Sequence, residues 1–242
     1  MDHLIWFIIL ALLAEILGTV GGFGSSLFFV PIASYFFDFH SVLGITAVFH
    51  VSSNLAKIAF FRKGFNKKLV FSIGLPAVLF VIVGSFFSSK VDSEVLKIAL
   101  GGFLILVSVV LLVFKNVRIK PSPINAAMGG ALSGLIAGML GTGGAIRGIT
   151  LAAYGLTMNA FIATSAVIDL AIDASRSAVY YFNGYVHQHD LYLIPILLMV
   201  SVSGTYVGKK ILSRISEQQF KSMVLWLILL TGLTTWVNVL FG

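Results

Sequence analysis

The chain has 242 residues, 58% of them hydrophobic and 10% charged, with a mean hydropathy of +1.03. A soluble domain carries about 25% charged residues, so this composition excludes a soluble globular protein and implies an all-α polytopic membrane protein. The excess of 16 Lys and Arg over 9 acids is gathered in short loops between apolar runs, which fits membrane orientation rather than nucleic-acid binding, and the lack of cysteine excludes disulfides and thiolate metal sites.

The N-terminal stretch lacks the basic region and small-residue cleavage site of a signal peptide and reads as part of the mature fold. Apolar runs then predict helices over Leu4–Leu17, Leu27–Phe37, Val42–Phe61, Leu69–Ser88, Val95–Phe114, Ile124–Leu140, Ile146–Gly155, Asn159–Phe182, Leu191–Ile211 and Gln219–Leu240. The first, second and seventh are too short to cross a bilayer of ~30 Å at ~1.5 Å per residue. The second and seventh each follow a glycine-rich interruption, "GGFGSS" at Gly21–Ser26 and "GTGGAIRG" at Gly141–Gly148. Each interruption therefore reads as a break inside a membrane-embedded element.

Setting Gly22 against Gly141 gives an offset of 119, at which Thr46 meets Ser165, His50 meets Asp169, Asn54 meets Asp173 and Lys57 meets Arg176. With one extra residue, Gly84 meets Gly204. The chain thus divides into two repeats of similar build, 1–119 and 120–242. Positive charge at Arg62–Lys68, Lys115–Lys120 and Lys209–Lys221 places those segments inside, and both termini and the "NGYVHQHD" loop outside. The two repeats are then inverted, each a broken, re-entrant hairpin plus three spans, a common plan of secondary transporters.

Broken backbone within a bilayer is tolerated where it is buried in protein or lines a wet cavity. The helix that restarts after a break offers free N–H groups and the positive end of its dipole to an anion. Gly22, Gly24, Gly141, Gly143 and Gly144 allow a ligand close to the backbone. Ser25, Ser26 and Thr142 add hydroxyls, and Arg147 adds a fork suited to oxyanions. The alternative is that these glycines only let helices pack closely, as the stripe Gly130, Gly134, Gly138 does.

His50, Asn54 and Lys57 share one helix face, and Asp169, Asp173 and Arg176 share another. Lys57 and Arg176 either line the anion pathway or snorkel to the headgroups. Asp169 and Asp173 either pair with Arg147, Arg176 or Lys57, or, like Glu15, couple H⁺ or Na⁺ movement to substrate. His50 is a second proton-relay candidate. Arg147 needs a compensating partner, either an aspartate or the anionic substrate, and the substrate is the favoured one. His187 and His189 read as an exposed loop pair rather than a metal site. Neither H-E-x-x-H nor a P-loop occurs, so no metal, cofactor or enzymatic activity is expected.

Gly22-Phe23-Gly24-Ser25-Ser26 with Pro31, repeated at Gly141–Ala145, and "GITA" at Gly44–Ala47 resemble the signatures of the sulfite exporter TauE/SafE family of membrane permeases. The second copy departs from them in carrying Thr150 where proline is expected, and in Ala163-Thr164-Ser165, which lacks the glycine. The resemblance covers essentially the whole chain and implies transport of sulfite, organosulfonates or other small sulfur-containing or organic anions. A secondary transporter in the cell inner (plasma) membrane is therefore expected, working by alternating access on a small anionic substrate. An uncoupled anion channel is the alternative, and a homo-oligomer is compatible with either.

Overall fold

A computed structural model describes residues 2–61, 64–113, 119–212, 214 and 217–241. The described residues form ten α-helices and no strand: α1 (Asp2–Gly21), α2 (Ser26–Ala33), α3 (Phe39–Phe60), α4 (Lys67–Ser88), α5 (Ser93–Val113), α6 (Pro123–Leu140), α7 (Gly144–Ala152), α8 (Met158–Phe182), α9 (Leu193–Leu212) and α10 (Glu217–Phe241). Seven of them, α1, α3–α6, α8 and α9, are long and apolar enough to cross a membrane. Of the charges that oriented the chain, Arg62, Lys63, Lys115 and Arg118 lie outside the described residues, as do the side chains of Lys221 and His189.

Capping residues fix where the helices begin. Asp38 accepts from the amides of His40 and Ser41 at the start of α3, Asn66 from Leu69 at the start of α4, and Ser122 from Asn125 at the start of α6. Partial burial would raise the Asp38 carboxyl, but the two amide donors and Ser93 hold it below the usual carboxylate range. The first apolar run is longer than its composition suggested. It extends through Gly18 and Thr19 to Gly21, giving 20 residues, long and apolar enough to cross a membrane where the composition suggested a short segment. Gly18 permits this because the chain folds straight back over it, so that a Cβ there would stand 2.3 Å from the Ser25 Cα. The two short helices are α2 and α7, of eight and nine residues, each directly after a glycine loop.

Glycines also set the tightest helix contacts. Cβ atoms at Gly130, Gly134 and Gly138 of α6 would meet the carbonyl oxygens of Ile73, Ala77 and Val81 on α4 within 2.1–2.3 Å, so α6 lies backbone to backbone along α4 and parallel to it. On the far side, Gly204 and Gly208 of α9 receive Glu15 and Thr19 of α1, again in parallel. Helices α3 and α8 run antiparallel: Gly44 packs under Tyr185, Asn54 reaches Asp173, and Phe61 clusters with Ile162 and Ala163. Helices α5 and α10 are antiparallel too, joined by Trp236, whose indole N–H donates to the Ile98 carbonyl beside Gly101.

Candidate functional site

Helices α1 and α6 end in the interior at the glycine loops, and their last carbonyls need hydrogen-bond donors that lipid cannot supply. For α6 the structure shows how this is met. Gly141 takes the left-handed conformation (φ 76°) and closes the helix onto the Ala137 carbonyl. Arg176 on α8 then donates to the Ala137 and Gly141 carbonyls at 3.2 and 2.8 Å, and the Tyr180 hydroxyl to Gly138 at 2.7 Å. A cation at the negative end of a helix is favourably placed.

The two glycine loops meet. A Cβ on Gly144 would lie 1.7 Å from the Phe23 carbonyl, one on Gly148 would run into the Phe23 ring, and Thr142 donates to the Ser26 hydroxyl at 3.1 Å. Against this contact lies a small polar cavity. The first loop contributes Gly24, Ser25 and Ser26 to its wall, and the second Gly141, Gly143, Gly144 and Arg147. The paired helices behind them contribute His50, Asn54 and Lys57 from α3, and Asp169, Asp173 and Arg176 from α8. The structure thus gathers thirteen of the sixteen candidate residues around one space. Gly22, Thr142 and Glu15 are not on the wall: Gly22 packs against Phe161, Thr142 braces Ser26, and Glu15 lies behind Ser25.

Each cation facing the cavity has a carboxylate of its own. Lys57 pairs with Glu15 at 2.8 Å, Arg176 with Asp173 at 2.7 Å, and Arg147 grips Asp169 with both terminal nitrogens. Lys57 and Arg176 are 6% and 1% exposed, so neither snorkels. Arg147 therefore has a resident aspartate partner, steadied by Ser165, which accepts from its Nε at 3.0 Å.

Glu15 is fully buried and the most heavily hydrogen-bonded acid of the site. It accepts from Ser25 and Ser53 at 2.6 Å, Thr205 at 3.0 Å and Thr19 at 3.3 Å, besides Lys57. The contacts also settle the histidine tautomer. Arg176 can only donate, so His50 Nδ1 accepts from it at 3.3 Å, and Nε2 carries the proton toward Ser25 at 3.1 Å. Ser25 in turn donates its hydroxyl hydrogen bond to Glu15, and the chain of donors runs one way, from Arg176 through neutral His50 and Ser25 to Glu15.

Several contributors lie outside the residues singled out from the sequence. Ser53 carried a signal, since it stands three residues after His50 on the same face. Ser165 stood in the repeat as the counterpart of Thr46. Thr205 and the carbonyl of Ala137 carried none, because nothing local distinguishes them from packing residues. In the loop after α8, His187 contacts Ser41 and Asp190, and among the described residues no group of three or more His, Cys, Asp or Glu could hold a metal ion.

The family model described as Sulfite exporter TauE/SafE matches residues 7–235. A relative from Methanocaldococcus jannaschii, named a "probable membrane transporter protein", is 26% identical over 252 aligned residues, covering 93% of this chain and 92% of its own length.

Proposed function

The chain belongs to the sulfite exporter TauE/SafE family, and from that premise we propose that it is a secondary transporter that holds a small oxyanion, such as sulfite or an organosulfonate, where its two glycine loops meet. One observation carries the reading: three cations and the N-terminal ends of α2 and α7 converge on a single buried cavity. The N–H groups of the short helices and the Ser25 and Ser26 hydroxyls would receive the oxygens, and the Arg147 fork would match their charge. Alternating access would then move the two halves around this point.

Inverted repeats, 1–119 and 120–242, are the framework we infer for that motion. Supporting them, α1 lies parallel to α9 as α6 does to α4, so the pairings exchange between halves. Antiparallel α3 and α8 touch through Asn54 and Asp173, which are counterparts at the offset of 119 and would lie on the pseudo-two-fold axis. Gly22 packs against Phe161 near the start of α8, while its counterpart Gly141 packs against Leu43 near the start of α3. In this reading both termini face outward in the inner membrane and Lys67, Lys120, Lys209 and Lys210 face inward.

Flux into proteoliposomes tests the reading. Sulfite or methanesulfonate uptake that saturates and is accelerated by the same anion on the opposite side supports a transporter, whereas linear flux without such exchange would establish a channel. Uptake of none of the sulfur oxyanions would refute the substrate class. In the same vesicles, single cysteines at residues 2 and 242 are expected to be labelled from one face and a cysteine at residue 67 from the other.

A further inference from the structure

The cavity is charge-balanced: Lys57, Arg147 and Arg176 are matched one to one by Glu15, Asp169 and Asp173, and the Arg176 contact keeps His50 neutral. A bare anion entering it would leave one uncompensated negative charge in a low-dielectric interior, which is costly. It would also have to take a cation away from a carboxylate. Something positive must therefore enter with the anion, or a carboxylate must lose its charge.

The three carboxylates are not equally able to do so. Glu15 is fully buried behind Ser25 and takes donors from five side chains. Asp173 is tied to Asn54 at 2.7 Å and to Arg176, itself fixed on the end of α6. Asp169 is the most open of the three, with a side chain 16% exposed against 0% and 6%, and its hydrogen-bond donors are Arg147 and Ser165. Arg147 in turn lies beside both loops. Its Nη2 stands 3.8 Å from where a Cβ of Gly24 would be and 3.3 Å from that of Gly144, so the guanidinium can serve an anion at the helix ends with little displacement.

We propose that Asp169 takes up one proton for each anion bound, releasing Arg147 from its own carboxylate to the anion, so that anion and proton travel together. The step balances: one H⁺ from water neutralises the Asp169 carboxylate, and the Arg147 guanidinium, its charge unchanged, pairs with the anion in its place. The groups around Asp169 fit this. Helix α7 brings Arg147, α3 brings His50 and Lys57, and α8 itself brings Asp173 and Arg176. Helix α6 has no ionisable side chain, and those of α4, Lys67 and Lys68, lie at its far N-terminal end. Protonating Asp169 thus leaves Arg147 as the one cation of the site without a carboxylate.

This proposal rests on the anion-site reading, and one titration separates the two. Methanesulfonate keeps a single negative charge across the working pH range, so its binding to the detergent-purified protein reports protein protonation alone. The expected result is uptake of one proton per anion and an apparent Kd that rises about tenfold per pH unit on the alkaline side. In Asp169→Asn, binding should persist with no proton uptake and a flat pH profile. Should that variant fail to fold, wild type is sufficient, through its proton count and an anion-induced infrared band of a protonated carboxyl that moves in Asp169→Glu. Binding without proton uptake, or uptake unchanged in Asp169→Asn, would overturn the proposal and leave the anion site standing. Failure of methanesulfonate, sulfite and sulfate all to bind would overturn both.

Discussion

The two glycine loops have the same plan and opposite chemistry. After the second loop, α7 carries Arg147, held by Ser165 and Asp169 on α8. At the offset of 119 the counterpart of Arg147 is Phe28 on α2, and the counterpart of Ser165 is Thr46, whose buried hydroxyl has no hydrogen-bond partner among the described residues. The first half places its charge elsewhere. Glu15 on α1 anchors Lys57, where the counterpart of Glu15 is Gly134, a glycine that lets α6 lie against α4. The corresponding cations differ as well: Arg176 caps the end of α6, while Lys57 binds Glu15 and Ser53 instead. In the repeat reading proposed above, one half has its acid locked inside the wall and the other has an acid that faces the cavity.

The sharpest way to break that contrast is to remove Glu15. Glu15→Ala would leave Lys57 buried without its counter-ion and strip four hydroxyls of their acceptor. Loss of one partner of a buried pair costs about 3–5 kcal/mol, so the unfolding transition in detergent should collapse or fall far below that of wild type. Adding Lys57→Met should restore most of the loss. An unchanged transition in Glu15→Ala alone would mean that the first half is not held together by this pair.

A smaller effect distinguishes the loops themselves. Gly144→Ala drives a methyl group into the Phe23 carbonyl, a backbone atom that can yield only if the loops separate, so a loss of about 1–3 kcal/mol and of anion binding is expected. Gly24→Ala meets nothing closer than 3.8 Å and suffers in the fold only from its left-handed φ of 87°, which costs roughly 1–2 kcal/mol, so the loops should stay joined and binding should fall less than in Gly144→Ala. Equal behaviour of the two variants in a binding titration would show that loop contact is not what shapes the site.

Much of this was legible in the sequence because membrane residues that are polar have few reasons to exist. The offset of 119 aligned His50, Asn54 and Lys57 with Asp169, Asp173 and Arg176, and the cavity unites all six. The short helices after the glycine loops were legible for the same reason. What was not legible depended on partners distant in the chain. The length of α1 is hidden by its small and polar end, which is helical because Gly18 packs on Ser25. The role of Arg176 is set by carbonyls 35 and 39 residues away, and that of Thr205 by an acid 190 residues away. Periodicity cannot report such contacts. It could pose the choice between aspartate and substrate as the partner of Arg147, but only the folded chain shows Asp169 in place.

The central claim, that an oxyanion binds against Arg147 where the loops meet, is tested most directly by removing the arginine and its aspartate together. Arg147→Gln with Asp169→Asn deletes both charges of the pair, so the fold loses no counter-ion. Charge-assisted hydrogen bonds contribute about 1.5–3 kcal/mol. The double variant should therefore unfold like wild type yet bind methanesulfonate roughly 10- to 100-fold more weakly in an equilibrium titration. Wild-type affinity in the folded double variant would contradict the account.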